Sequence, residues 1–399
     1  MNCVSTPASS RSPRLTAVMR QTERVTPLEL FFDLVFVLAI TQCTALMAAE
    51  PTWTGLAKGV VVLAVLWWSW TGYAWLTSVV DPEEGSVRIA MFAAMAALLV
   101  VALCVPGAFG ESAFLFACAY GVVRAAHIAL FLLASRDDSA LHESVVGLGG
   151  SSTLGVGLLV TASFTDGVLQ GALWAVALLL DMGGPYLFGA EGWKLVPGHF
   201  AERHGLILII ALGESIVAIG VGADAHVDAG VVAAATLGIG VAAALWWLYF
   251  DVVSLLAQRD LSSMTPGRAR NELARDAYSY LHFPMVAGVV LLALGLKKTL
   301  AEVGEPLELV PAAAMLGGTA LYLLAHVAVR LRHVHTINNH RLGCAILLVG
   351  LVPVAVELPA LATLAIIFAA LLAVIGYESV RFAGSRDRVR RQLAGEAID

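Results

Sequence analysis

The chain has 399 residues, 59% of them hydrophobic and only 14% charged, with a formal net charge of -6 and a mean hydropathy of +0.83. A soluble domain carries about 25% charged residues, so this composition excludes one and points to an all-α polytopic membrane protein. Net charge says little about partners in such a chain, because charge is sorted by side of the membrane.

Residues 1–26 are rich in Ser, Thr and Arg and read as a polar cytoplasmic tail. Apolar segments follow at about 30–49, 55–80, 88–107, 112–134, 144–163, 167–189, 202–222, 228–251, 278–297, 307–330, 341–357 and 359–380. Each is long enough to span, which gives about twelve transmembrane helices. The fifth and eleventh are weakened by Gly and Pro. The connection 252–277 reads as a solvated loop, with a helix lying along the inner leaflet as the alternative. Residues 383–399 form a second polar tail.

Lys58, Lys297 and Lys298 are the only basic residues in the loops that alternate to one side. Most of the 24 Lys and Arg fall in the N-terminal tail and the other loops. That asymmetry predicts twelve spans with both termini cytoplasmic. The cysteines at 3, 43, 104, 118 and 344 show no CxxC spacing and read as small hydrophobes.

Three ordered matches suggest an internal duplication. Leu66-Trp67-Trp68 answers Leu245-Trp246-Trp247, Ala126-His127-Ile128-Ala129 answers Ala325-His326-Val327-Ala328, and Leu34 to Ile40 resembles Leu206 to Leu212. Residues 27–190 and 191–382 are then six-helix repeats of the same orientation, with a site expected between them.

Ionisable residues within the apolar segments are the candidate site. Glu29 and Asp33 share one face of the first helix. On the seventh, Arg203, Ile207, Ile210 and Glu214 form a stripe, and Glu214 lies about 18 Å along the helix from Glu202, near the membrane midplane. A carboxylate at that depth is costly and marks a candidate proton-transfer group. Arg124 and His127, Asp181, Asp251, His282, His326 and Arg330 fall in the inner halves or inner ends of their segments. Asp33 is the expected partner of Arg124, whereas Glu214 has no evident partner.

Metal-ligand spacing is poor. HExxH is absent, and His199 and His204 do not share a helix face; His333, His335 and His340 read as a solvated loop. No metal is expected, the cofactor is left open, and the lack of a Walker loop or strand-borne GxGxxG argues against nucleotide-driven work. Asp137-Asp138 with Glu143, and Asn271-Glu272 with Asp276, match no full diphosphate-binding motif.

Glu29-Leu30-Phe31-Phe32-Asp33-Leu34-Val35-Phe36-Val37, Glu202-Arg203-His204-Gly205-Leu206 and Ala211-Leu212-Gly213-Glu214-Ser215 resemble the bacterial low temperature requirement protein A (LtrA) family. The resemblance spans most of residues 24–380 and implies a multi-pass bacterial membrane protein without supplying a mechanism. It carries over Glu29, Asp33, Glu202, Arg203, His204 and Glu214 as site candidates.

Two functions fit these residues. One is a proton-coupled transporter of a small solute or ion, with Glu214 as the coupling acid. The other is a membrane-embedded enzyme acting on a lipid or isoprenoid from the cytoplasmic side. There Asp33 or Glu214 would donate a proton, and Arg124 or Arg203 would hold an anionic group. Glu29, Glu202, His204, His127, Asp251, His282 and His326 are the binding candidates in either case. The expected partners are the bilayer and a small-molecule, ion or lipid substrate, with no nucleic acid.

Overall fold

The computed structural model describes residues 23–83, 85–187, 192–223 and 227–384. The expected tails therefore lie largely outside the described residues. The helices are α1 (Pro27–Ala49), α2 (Trp53–Val79), α3 (Gly85–Cys104), α4 (Ala113–Ala134), α5 (Ser139–Ala162), α6 (Gly167–Leu187), α7 (Pro197–Gly222) and α8 (Ala229–Phe250). They continue with α9 (Val253–Ser263), α10 (Arg268–Leu273), α11 (His282–Ala301), α12 (Leu309–Val334), α13 (Asn339–Gly350), α14 (Val352–Ala355) and α15 (Ala360–Arg381). No strand occurs among the described residues.

Among these residues, 11 helices are long and apolar enough to cross a membrane. The expected eleventh segment, 341–357, is instead α13 followed by the single turn of α14. At about 1.5 Å per residue, α13 alone reaches roughly 18 Å, short of a hydrocarbon core about 30 Å thick. Pro353, which has no N–H to give to the preceding turn, sits where the two pieces part.

Helix starts follow local chemistry. Thr26 and Glu29 form a reciprocal capping box with Pro27 at the first helical position, which fixes where α1 begins. Asp138 accepts from Leu141 N and starts α5 earlier than the apolar run alone suggests. The connection 252–277 is a correction: α9, α10 and the start of a π-helical turn replace most of the expected loop. On α9, Ala257 and Leu261, one turn apart, are buried against the bundle. From Arg268 the chain runs through α10 and a π-helical turn, Ala274–Tyr280, directly into α11.

The centre of the bundle is α2 and α11, which are buried nearly all round. Close approach is set by small residues: a Cβ on Gly288 of α11 would sit 2.5 Å from Gly318 O of α12, and one on Gly318 would sit 2.5 Å from Gly288 O. The outer helices carry exposed apolar side chains such as Leu154, Val168, Leu179 and Ile346. That belt is what a lipid bilayer solvates, and water would not.

Candidate functional site

Helices α1 and α7 lie side by side and run in the same direction. At one end of the pair Glu29 meets Arg203, and farther along Thr41 meets Glu214, so α1 and α7 advance together. Of the helical stripe expected on α7, Arg203, Ile207 and Glu214 are buried and Ile210 is half-buried.

At the end nearer the helix starts, four ionisable side chains are wholly inaccessible: Glu29, Asp33, His199 and Arg203 are each 0% exposed. The Arg203 guanidinium donates from Nη1 to Glu29 Oε1 at 2.9 Å and to Thr77 Oγ1 at 3.1 Å. From Nη2 it donates to Asp33 Oδ1 at 2.7 Å. Trp70 Nε1 donates to the same Asp33 oxygen at 2.8 Å, and its ring lies 5.6 Å from the guanidinium carbon. His199 Nε2 stands 2.8 Å from Glu29 Oε1. The other Glu29 oxygen takes Thr26 N at 2.8 Å, closing the cap of α1. One arginine thus ties two carboxylates to α7, the planar fork being suited to this where an ammonium would not be. Asp33 Oδ2 is buried with no hydrogen-bond partner.

Arg124 does not pair with Asp33, as expected from the sequence. Its Nη2 donates to Asp181 Oδ1 of α6 at 2.7 Å and also to Ser152. Asp181 is further satisfied by Ser152 Oγ at 2.6 Å and Tyr120 OH at 2.8 Å. Depth along the helices placed Arg124, Asp33 and Asp181 at comparable levels but could not tell which helices touch.

The histidines gather about α7, α8 and α11. His204 packs edge-on against Trp70 at 4.9 Å and lies 5.4 Å from the His282 ring. His282 Nε2 is 2.8 Å from Tyr249 OH, and the Tyr249 ring leads on to His326 at 5.9 Å. His326 Nδ1 stands 2.9 Å from Arg341 Nη1, and Arg341 donates to both oxygens of Glu378 at 2.7 and 2.8 Å. His204, His282 and His326 therefore form one array, while His127 sits apart beside Tyr73 and Arg124. Glu202 is exposed and accepts from Val25 N, and Asp251 caps the end of α8 outside the array. His333 and His340 are dispersed onto Asp260 and Glu378.

Glu214 is 2% exposed and takes Thr41 Oγ1 at 2.5 Å on one carboxylate oxygen. Between it and His204, the neighbour of Arg203, the buried α7 residues are Gly205, Ile207, Leu208, Ala211 and Leu212. The two acids of α1 and the acid of α7 are thus separated by an apolar stretch.

A cavity lies beside the π-helical turn, against α2 and α4. Trp68, Thr71, Gly72, Trp75, Arg124 and His127 line it together with Trp193, Asn271, Arg275 and Ser279. Among the candidates only Arg124 and His127 reach it; Glu214 does not. A π turn often marks such a place, because it turns side chains off the ordinary helical stripe. Sequence reasoning missed Arg275, Thr41 and Arg341 as site groups. The paired tryptophans of α2 were a signal for the cavity wall, whereas nothing in spacing marked Arg341 or Glu378. Among the described residues no group of three or more His, Cys, Asp or Glu could hold a metal ion.

An all-helical bundle with an apolar outer belt and its charges paired inside is a polytopic membrane protein. Residues 24–376 match the family described as Bacterial low temperature requirement A protein (LtrA). The chain belongs to that family. A curated protein of Rhizobium meliloti (strain 1021), named only as uncharacterized, is 30% identical over 307 residues, covering 74% of each chain. No solved structure matches.

Proposed function

We propose that the chain is a proton-coupled transporter of a small solute or ion, built from two parallel six-helix halves, 27–190 and 191–382. The cavity between the halves carries the reading: its walls come from both, so a tilt of one half against the other changes its access. The neighbour relations support the duplication. In the first half α1 packs on α2 and α3, α2 on α6, α3 on α4, and α4 and α6 on α5. In the second half α7 packs on α8 and α11, α8 on α15, α11 on α12, and α12 and α15 on α13.

Glu214 is the coupling group in this reading, because its buried carboxyl meets a neutral hydroxyl rather than a guanidinium and can exist in either protonation state. The basic end of the bundle faces the cytoplasm of a bacterial inner membrane. The lipid or isoprenoid enzyme reading is less well supported, since the acids it needs are already engaged. Asp138 caps α5 and pairs with Lys194, Glu272 pairs with Arg268, and Asp276 with Arg275.

The test is flux in proteoliposomes holding a pH-sensitive dye, challenged with a panel of small solutes. Wild type is expected to show solute-dependent proton movement and Glu214→Gln at least tenfold less. Equal flux in the two removes Glu214 from coupling. Product formation from prenyl diphosphates without flux transfers the case to the enzyme.

A further inference from the structure

We infer that the cavity beside the π-helical turn is a binding site for a small aromatic carboxylate. This rests on the transport reading only for its purpose; the binding itself stands on the geometry of the cavity.

Three of its lining residues are buried and carry polar atoms with no hydrogen-bond partner: Thr71 Oγ1, Arg124 Nε and both ring nitrogens of His127. Their exposures are 2%, 2% and 1%. Leaving buried polar atoms unpaired is costly, so several lining one cavity point to a polar occupant. Each of the three can donate a hydrogen bond.

The charges around the cavity favour an anion. Arg124 is matched by Asp181, but Asp276 is shared by Arg275, at 2.8 Å, and Arg332, at 3.1 Å. Among the described residues Arg124, His127 and Arg275 line the cavity and no carboxylate does, Asp181 and Asp276 being outside the lining. Aromatic rings line it too: Trp68, Trp75 and Trp193, with Trp75 and Trp193 meeting edge to face at 5.5 Å. Indole faces and edges accept a flat ring. A carboxylate beside Arg275 and Thr71, with its ring among the tryptophans, satisfies both sets of groups at once.

Equilibrium dialysis of labelled indole-3-acetate against the full chain in detergent micelles tests this. The expected result is saturable binding at one site per chain, with indole-3-acetamide competing at least tenfold more weakly and laurate not competing. Arg275→Gln is expected to weaken binding at least tenfold, and Thr71→Val, which keeps shape and fold, about threefold. Absence of saturable wild-type binding, or equal competition by the amide, overturns the inference; equal competition by laurate makes the occupant a lipid acid and overturns it as well. Binding without flux retires the transport reading and leaves the site standing. Flux of other solutes without this binding does the reverse.

Discussion

The two ends of the α1–α7 contact solve the same problem in opposite ways. At one end two carboxylates are buried completely and compensated by an arginine, a tryptophan and a histidine. About 16 Å along α7, Glu214 is buried almost as deeply with a threonine hydroxyl on its carboxylate. The first arrangement fixes charge and geometry together, because removing any member strands the others. The second leaves the charge state open. Burial of an acid therefore does not by itself mark a proton carrier; the partner decides.

Arg203→Met should give the largest effect, since it strands Glu29 and Asp33 in the interior at once. Loss of one partner of a buried pair costs about 3–5 kcal/mol, and the variant is expected to be recovered in low yield with a sharply lower melting temperature in detergent. Adding Asp33→Asn and Glu29→Gln to it should restore part of the loss, because neutral amides need no counter-ion. A triple variant no better than Arg203→Met would mean that the guanidinium acts through packing rather than charge.

The second half holds a looser relative of that lock. Arg341 joins α13 to α15 through Glu378, whose side chain is 13% exposed, so water screens what remains when one partner goes. Arg341→Met is expected to cost about 1.5–3 kcal/mol, the range for hydrogen bonds to charged groups. Thermal unfolding beside Arg203→Met ranks the two, and the reverse order would show that α13, short as it is, holds the bundle together. On the proposed duplication this bridge corresponds to Arg124–Asp181. In the first half the arginine stands on α4 beside His127, and in the second on α13 beside His326.

Glu214→Gln sharpens the comparison from the other side. The amide keeps an acceptor for Thr41, so stability should change by about 1 kcal/mol or less, measured as the same melting shift. A loss as large as that of Arg203→Met would make Glu214 a second structural lock and end its distinction from Glu29 and Asp33.

Much of this was legible in the sequence. Apolar run lengths located the helices, and helical spacing put Arg203 and Glu214 on one buried stripe, as found. Pairing was not legible, because depth fixes a residue along its own helix but not which neighbour it faces. Arg124 therefore met Asp181 rather than Asp33. Hydrophobicity also hid α9: a short amphipathic helix against the bundle has the composition of a loop, and only the burial of Ala257 and Leu261 reveals it. The broken eleventh segment was flagged by its Gly and Pro, since those residues act on the backbone whatever the surroundings.

The smallest effect is expected where charge is paired in the open. Lys194 Nζ lies 2.7 Å from Asp138 Oδ2, with side chains 55% and 27% exposed, and its hydrogen bond holds the Asp138 carboxyl below the usual carboxylate range. Exposed pairs of this kind contribute about 0.2–1 kcal/mol. Lys194→Met should therefore cost little, because the loop before α7 is also pinned by backbone: Gly192, at φ +76°, approaches so closely that a Cβ would fall 2.4 Å from Leu141 N. The sign with pH is fixed. A depressed folded pKa contributes stability above the unfolded value of about 3.9, and that contribution is lost as the pH falls through the lower folded value. Melting curves of wild type and Lys194→Met should thus differ slightly at neutral pH and converge at low pH. A difference that persists or grows in acid would show that Lys194 acts through some contact other than Asp138.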